Sequence, residues 1–143
     1  MAGSYDDRDG KIWLDGTLVD WRDANVHILT HGLHYASSVF EGERAYNGKI
    51  FESLRHSERL LASGALLDMP VPYSVQELEA AKYEVLKANG LTDAYVRVVA
   101  WRGSGEDMGV ASAKNPVRVA VAAWEWGAYY GDAKMKGAKL DIS

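Results

Sequence analysis

Two Asx-Gly dipeptides, Asp15-Gly16 and Asn47-Gly48, each stand between short runs rich in strand-forming residues, and they restrict the chain to antiparallel pairing at both places. Asp-Gly and Asn-Gly supply the positive φ angles of a two-residue hairpin turn, whose twist matches that of the strands it joins. Residues 11–14 and 17–20 are therefore predicted to form one hairpin, and residues 39–46 with 49–54 a second.

Helical spacing follows. Leu60, Leu61, Gly64 and Leu67 lie on one stripe of a predicted helix over 55–68, which stops before Met69-Pro70 because proline disfavours helix in the residue before it. Ser74 and Glu77 have the spacing of a capping box, ahead of a stripe of Leu78, Ala81, Val85 and Leu86 and a stop at Asn89-Gly90. Residues 94–101 and 117–124 read as two further strands around a loop, 102–115, rich in glycine and acid. The expected class is α+β, an antiparallel β-sheet packed with two α-helices on one face.

Composition narrows the function. The 143 residues form one ordinary domain, with 48% hydrophobic and 25% charged residues, which excludes a disordered chain. There is no cysteine, so disulfides, zinc ribbons and thiol nucleophiles are excluded together, consistent with a reducing, cytoplasmic compartment. A net charge of −4 without a basic patch argues against nucleic-acid binding, and no long apolar run argues for a membrane. Residues 1–10 read as a flexible leader, 11–126 as the domain, 127–139 as a linker, and 140–143 as the start of a further domain. Ala138, Leu140 and Ile142 begin an alternation cut off at Ser143, although a frayed natural terminus remains open.

The second hairpin carries the chemistry. In a strand over 39–46, Phe40, Gly42, Arg44 and Tyr46 share one face, and Val39, Glu41, Glu43 and Ala45 the other. A glycine between an aromatic and a cation marks a bend or a place where another group comes close. In 94–101, Tyr95, Arg97, Val99 and Trp101 share a face, so a guanidinium sits in a half-buried strand and needs an anion: Glu41 or Glu43, or the carboxylate of a ligand. Tyr95 beside it favours the ligand, because a hydroxyl and a fork together suit a carboxylate. Aromatics crowd 124–130, in a loop that either closes over a ligand or plugs a domain interface. Arg59 reads as a solvated helix arginine with its stem on the core. His27, His31 and His34 have helical ligand spacing, but 26–29 reads as strand and His31-Gly32 as a turn, so no metal is expected. No phosphate loop or nucleophile elbow is present.

Taken in order and spacing, residues 26–46, Glu58-Arg59-Leu60, Ala94-Tyr95-Val96-Arg97, Asp107-Met108-Gly109-Val110 and Trp126-Gly127-Ala128-Tyr129 resemble the branched-chain amino acid aminotransferases, fold-type IV enzymes that use pyridoxal 5'-phosphate. The resemblance implies that the chain is the small N-terminal domain of such an enzyme, exchanging the amino group of leucine, isoleucine or valine with 2-oxoglutarate to give glutamate. It implies that Arg59 binds the cofactor's phosphate, that Phe40, Tyr95 and Trp126 line the apolar pocket, and that Arg97 receives the distal carboxylate of glutamate. Gly42 and Arg44 belong to the same substrate-binding face, and Tyr129 helps to close the site. Tyr35 and the Met108-Gly109-Val110 turn reach the neighbouring subunit's site, which implies a homodimer or higher homo-oligomer.

One departure bears on activity. In the family the lysine that carries the cofactor lies in a second domain after the linker, and Lys134, Lys136 and Lys139 do not match it. The 143-residue chain alone is expected to be inactive and to bind the cofactor weakly or not at all. Alternatives are a D-amino acid transaminase or an aminodeoxychorismate lyase of the same fold, or a non-catalytic stand-alone binding or dimerisation domain.

Overall fold

The computed structural model describes residues 4–111, 113–127 and 137. Strands β1 (Lys11–Leu14) and β2 (Thr17–Asp20) are joined through Asp15 at φ 47° and Gly16 at 97°, and β3 (Ser38–Tyr46) and β4 (Lys49–Ile50) through Asn47 at 50° and Gly48 at 75°. Both turns thus use the positive φ angles that the dipeptides were expected to supply. With β5 (Ala94–Arg102) and β6 (Val117–Trp124) the strands form one sheet, ordered β2-β1-β6-β5-β3-β4 and antiparallel throughout.

The helices α2 (Ser53–Leu66) and α3 (Val75–Ala88) cover one face of this sheet. Leu60, Leu78, Val85 and Leu86 meet Val96, Val98, Val119 and Val121 in the core. Truncating one such fully buried leucine to alanine typically costs about 2–5 kcal/mol. The capping box is present as expected: Glu77 N donates to Ser74 Oγ (3.3 Å) and Ser74 N to Glu77 Oε2 (2.7 Å). Gly90, at φ 63°, ends α3, with Leu91 N donating to Leu86 O at 2.9 Å.

Three local expectations are corrected. The second hairpin's return strand is two residues long, not six, because Glu52 takes a left-handed φ of 51° and α2 starts at Ser53. Residues 26–29 form no strand; Thr30 N donates to His27 O in a turn, and the expected turn at His31-Gly32 is instead the short helix α1 (His31–Tyr35). Helix α2 ends at Leu66 rather than 68, where Leu67 N and Met69 N both turn back to Gly64 O.

Residues 4–10 lie against the sheet's end. Trp21 Nε1 donates to Tyr5 O at 2.6 Å, the Tyr5 ring meets Trp124 edge-on, and Arg22 pairs with Asp7 and Asp9. Two features of the sheet position the site. Its second face is not covered by α2 or α3. In addition, β4 pairs only with Ala45 and Tyr46, so among the described residues 38–43 of β3 form a free sheet edge.

Candidate functional site

Strict alternation sorts β3 and β5 into two faces. Glu41, Glu43, Ala45, Ala94, Val96, Val98 and Ala100 are buried towards the helices, whereas Phe40, Gly42, Arg44, Tyr95, Arg97 and Val99 face the open side. The register sets Gly42 opposite Arg97, Phe40 opposite Val99 and Arg44 opposite Tyr95. Gly42 is flat strand, and the group that comes close is Tyr95: a Cβ on residue 42 would stand 2.2 Å from the Tyr95 hydroxyl. That hydroxyl accepts from Arg97 Nη2 (2.8 Å) and Nε (3.1 Å), and the Arg97 guanidinium lies 4.1 Å from the Phe40 ring centre. The Tyr95 ring also packs edge-on against Trp126 at 4.7 Å.

Arg97 is thus an oriented cation in an aromatic setting with no carboxylate partner among the described residues. A Gly42→Ala substitution should leave the global fold intact, because the clash is with the far end of one side chain. It should displace Tyr95 and weaken the Arg97–Tyr95 contact. The expected outcome is a stability loss of about 1–3 kcal/mol with altered near-ultraviolet circular dichroism from the Tyr95–Trp126 pair; an unchanged near-ultraviolet spectrum would contradict the packing described.

On the same open face, Arg44 Nη1 donates to Trp126 O at 2.6 Å and so holds the start of the aromatic loop. Tyr129 lies outside the described residues. Beyond Arg97, an open apolar groove of about 370 Å³ runs along the same face past Val99, Trp101, Ala120 and Leu14 to Val26 and Leu33. Phe40, Tyr95 and Trp126 do not line it, so Arg97 is the side chain common to the groove and the aromatic cluster.

Arg59 stands on the other side of β3. Its Nε donates to Glu41 Oε1 (2.7 Å) and its Nη2 to Glu41 Oε2 (2.6 Å), and His56 Nδ1 lies 2.7 Å from the same Oε2. Glu41 is 5% exposed, the Arg59 side chain 66%. Burial pushes the Glu41 carboxyl up, but the hydrogen bonds from Arg59 and His56 outweigh it and hold it below its ordinary value of 4.5. A folded-state value below the unfolded one means that Glu41 stabilises the fold fully above about pH 4.5, and that this contribution disappears as pH falls through the depressed value. Glu79 has the same sign. The urea midpoint should therefore fall on acidification from about pH 6 to about pH 3, and fall less in Glu41→Gln; equal slopes in both proteins would remove Glu41 from the cause.

At the end of the groove α1 gathers the residues expected to serve a neighbouring subunit. Tyr35 Oη donates to Met108 O (2.9 Å), and His31 Nε2 meets Gly109 O (3.0 Å) while Ser37 Oγ meets its Nδ1 (3.2 Å). Val110, next in the turn, is 76% exposed. The other two histidines of the trio have separate partners, His27 accepting from Leu29 N and His34 meeting Ile28 O, and among the described residues no group of three ligating side chains could hold a metal ion. Nor, among those residues, is any helix long and apolar enough to cross a membrane.

Glu41 and Glu43, weighed as protein partners for Arg97, do not meet it; period two puts them on the opposite face. Glu43 instead meets Lys82, whose Nζ donates to Glu43 Oε2 and Glu79 Oε1 (both 2.9 Å) and to Ser53 O and Oγ. Both Lys82 and Glu43 are fully enclosed, and burial raises the Glu43 carboxyl against the pull of Lys82. This network was missed in the sequence because Lys82 reads as one charge on an amphipathic helix. Its signal was position: Lys82 lies beside Leu78, Ala81, Val85 and Leu86 on the stripe facing the sheet.

The family model described as amino-transferase class IV matches residues 38–141. The chain belongs to the amino-transferase class IV family. Among curated class IV relatives, the branched-chain-amino-acid aminotransferase of Pseudomonas aeruginosa is 45% identical over 145 aligned positions, covering 98% of this chain and 47% of the relative. The chain spans about a third to a half of the length of the curated relatives it matches. The crystal structure of the Escherichia coli branched-chain amino acid aminotransferase superposes with a TM-score of 0.82 at 39% identity, over 88% of this chain and 43% of that one. The enzyme of the same name from Thermoproteus uzoniensis, crystallised with norvaline, gives 0.79 at 38% identity, over 85% and 42%. The α+β small domain of fold-type IV enzymes is therefore the architecture observed.

Proposed function

We propose that the full-length protein is a cytoplasmic, pyridoxal-phosphate-dependent branched-chain amino acid aminotransferase that exchanges the amino group of leucine, isoleucine or valine with 2-oxoglutarate, and that this chain is its N-terminal domain. The observation that carries the reading is Arg97: a half-buried guanidinium held by the Tyr95 hydroxyl and stacked on Phe40, with no protein carboxylate to neutralise it among the described residues. Such a group accepts the distal carboxylate of glutamate, while Phe40, Tyr95 and Trp126 offer apolar surface to a branched side chain. One pocket can then take an acidic and an aliphatic substrate in turn.

The residues present fit the phosphate end of the cofactor. Arg59 has one edge of its fork tied to Glu41, which leaves Nη1 without a hydrogen-bond partner among the described residues on a side chain that is 66% exposed. When bound, pyridoxal phosphate supplies the electron sink and carries the amino group. The lysine that holds it belongs, on this reading, to a domain after the linker, which places the boundaries at 11–126 for the small domain and 127–139 for the linker. Tyr35, Met108, Gly109 and Val110 form one exposed cluster around α1, suited to reaching a second copy's site in a homodimer or higher homo-oligomer.

The test is substrate range of the purified full-length protein loaded with pyridoxal phosphate. Transamination of L-leucine, L-isoleucine and L-valine with 2-oxoglutarate is the expected result. Preference for a D-amino acid, or lyase activity on aminodeoxychorismate, would assign another activity of the fold. No turnover with any of these would favour a non-catalytic binding or dimerisation module.

A further inference from the structure

An arginine that is two-thirds exposed ordinarily samples many rotamers, and ordering it on an anion then costs side-chain entropy. Arg59 is not free in this way. Its Nε and Nη2 form two parallel hydrogen bonds, 2.7 and 2.6 Å, to the two oxygens of Glu41. Glu41 itself is fixed: it belongs to the ladder of β3, opposite Val98, and its side chain is nearly enclosed. A third group braces the same carboxylate from α2, since His56, one turn before Arg59, has its Nδ1 2.7 Å from Oε2. With His56 donating from Nδ1, Oε2 accepts two hydrogen bonds and Oε1 one. The guanidinium is thereby locked in a plane, its Nε and Nη2 taken up by Glu41, while Nη1 has no hydrogen-bond partner among the described residues on a side chain that is 66% exposed.

We infer that Glu41 is a positioning residue for phosphate recognition: from the buried face of β3 it clamps one edge of Arg59 so that the opposite edge is presented, already ordered, to the phosphate of the cofactor. This rests on the reading of Arg59 as the phosphate-binding cation. The pairing has a consequence that charge alone would not. A lysine at position 59 would keep the cation and lose the fork that a carboxylate can grip on one side while an anion is gripped on the other.

The experiment measures, on the full-length protein, the dissociation constants of pyridoxal 5'-phosphate and of pyridoxal, which lacks the phosphate, by absorbance titration. Glu41→Gln keeps the side-chain volume and loses the charged clamp; it should weaken pyridoxal phosphate about tenfold or more, with pyridoxal unchanged. Arg59→Lys, at an exposed site where folding is not at stake, should show the same selective loss, and Glu41→Gln added to Arg59→Ala should cause no further loss. The inference is overturned if Glu41→Gln weakens both ligands equally, which is a general structural effect, or neither, or if Arg59→Lys binds pyridoxal phosphate like the parent. If Arg59→Ala itself leaves pyridoxal phosphate binding unaltered, the phosphate reading of Arg59 fails, and the inference with it.

Discussion

Replacing Lys82 by methionine should destabilise the protein by about 3–5 kcal/mol at neutral pH, the cost of leaving a buried carboxylate without its cation. Lys82 is the only positive group within ion-pair distance of Glu43 among the described residues, and Glu43 already has one buried oxygen, Oε1, with no hydrogen-bond partner. Without Lys82 the Glu43 carboxyl would rise further. A group whose folded value lies above its unfolded one destabilises the fold above that value, so the Lys82→Met defect should shrink as the pH is lowered. Adding Glu43→Leu should recover most of the loss at neutral pH, because Glu79 retains Ser57 Oγ at 2.7 Å and partial access to water. Urea unfolding of the single and double variants at two pH values checks this. A double variant as unstable as the single one would show that the lysine contributes mainly through the packing of its stem.

The second large effect concerns Arg97. In the full-length protein, Arg97→Leu should lower kcat/KM for 2-oxoglutarate about thirtyfold or more, equivalent to about 2 kcal/mol or more for an unpaired distal carboxylate. Exchange between a branched-chain amino acid and a branched-chain 2-oxo acid, which involves no distal carboxylate, should stay within about threefold. Steady-state kinetics with the two acceptors separates the cases. Equal losses for both would mean that Arg97 holds Tyr95 and Phe40 in place and does not read the acidic substrate. The same split, in weaker form, is expected of Gly42→Ala through the displaced Tyr95 hydroxyl.

Much of this arrangement was legible in the residues. Asp15-Gly16 and Asn47-Gly48 carry their turn geometry in their own chemistry, and Ser74 with Glu77 carries the start of α3; such local signals survive into the fold. Period two placed Phe40, Gly42 and Arg44 on one face before any pairing was known. The errors lay where tertiary context decides. Residues 26–29 have strand-like composition but run into a turn, Thr30 N donating to His27 O, and α1 follows, its His31 and Tyr35 bonded to a loop some 73–78 positions away. Arg59 could not be told from a solvated arginine by spacing, since its partner, Glu41, comes from distant chain, and the Trp126 carbonyl that Arg44 meets was equally out of sight. Glu41 and Glu43, open in the sequence as alternatives to a ligand carboxylate for Arg97, meet Arg59 and Lys82 instead, for a related reason. Charge complementarity is visible in a sequence, whereas the side of the sheet on which each cation lies depends on the register between β3 and β5.

That register makes β3 a partition with a different arginine cluster on each surface: Arg97 with Tyr95 and Phe40 on one side, Arg59 clamped by Glu41 on the other. A one-residue slip of β3 against β5 would exchange the surfaces, sending Phe40 and Arg44 into the core and turning the two glutamates outward, and an insertion or deletion within the strand would force that exchange on the residues to one side of it. Substitution can tune either half of the site independently, but a change of length cannot pass through any partly working intermediate. Among related proteins this nine-residue strand should therefore vary in letters and stay constant in length, even where the loops at its ends grow or shrink.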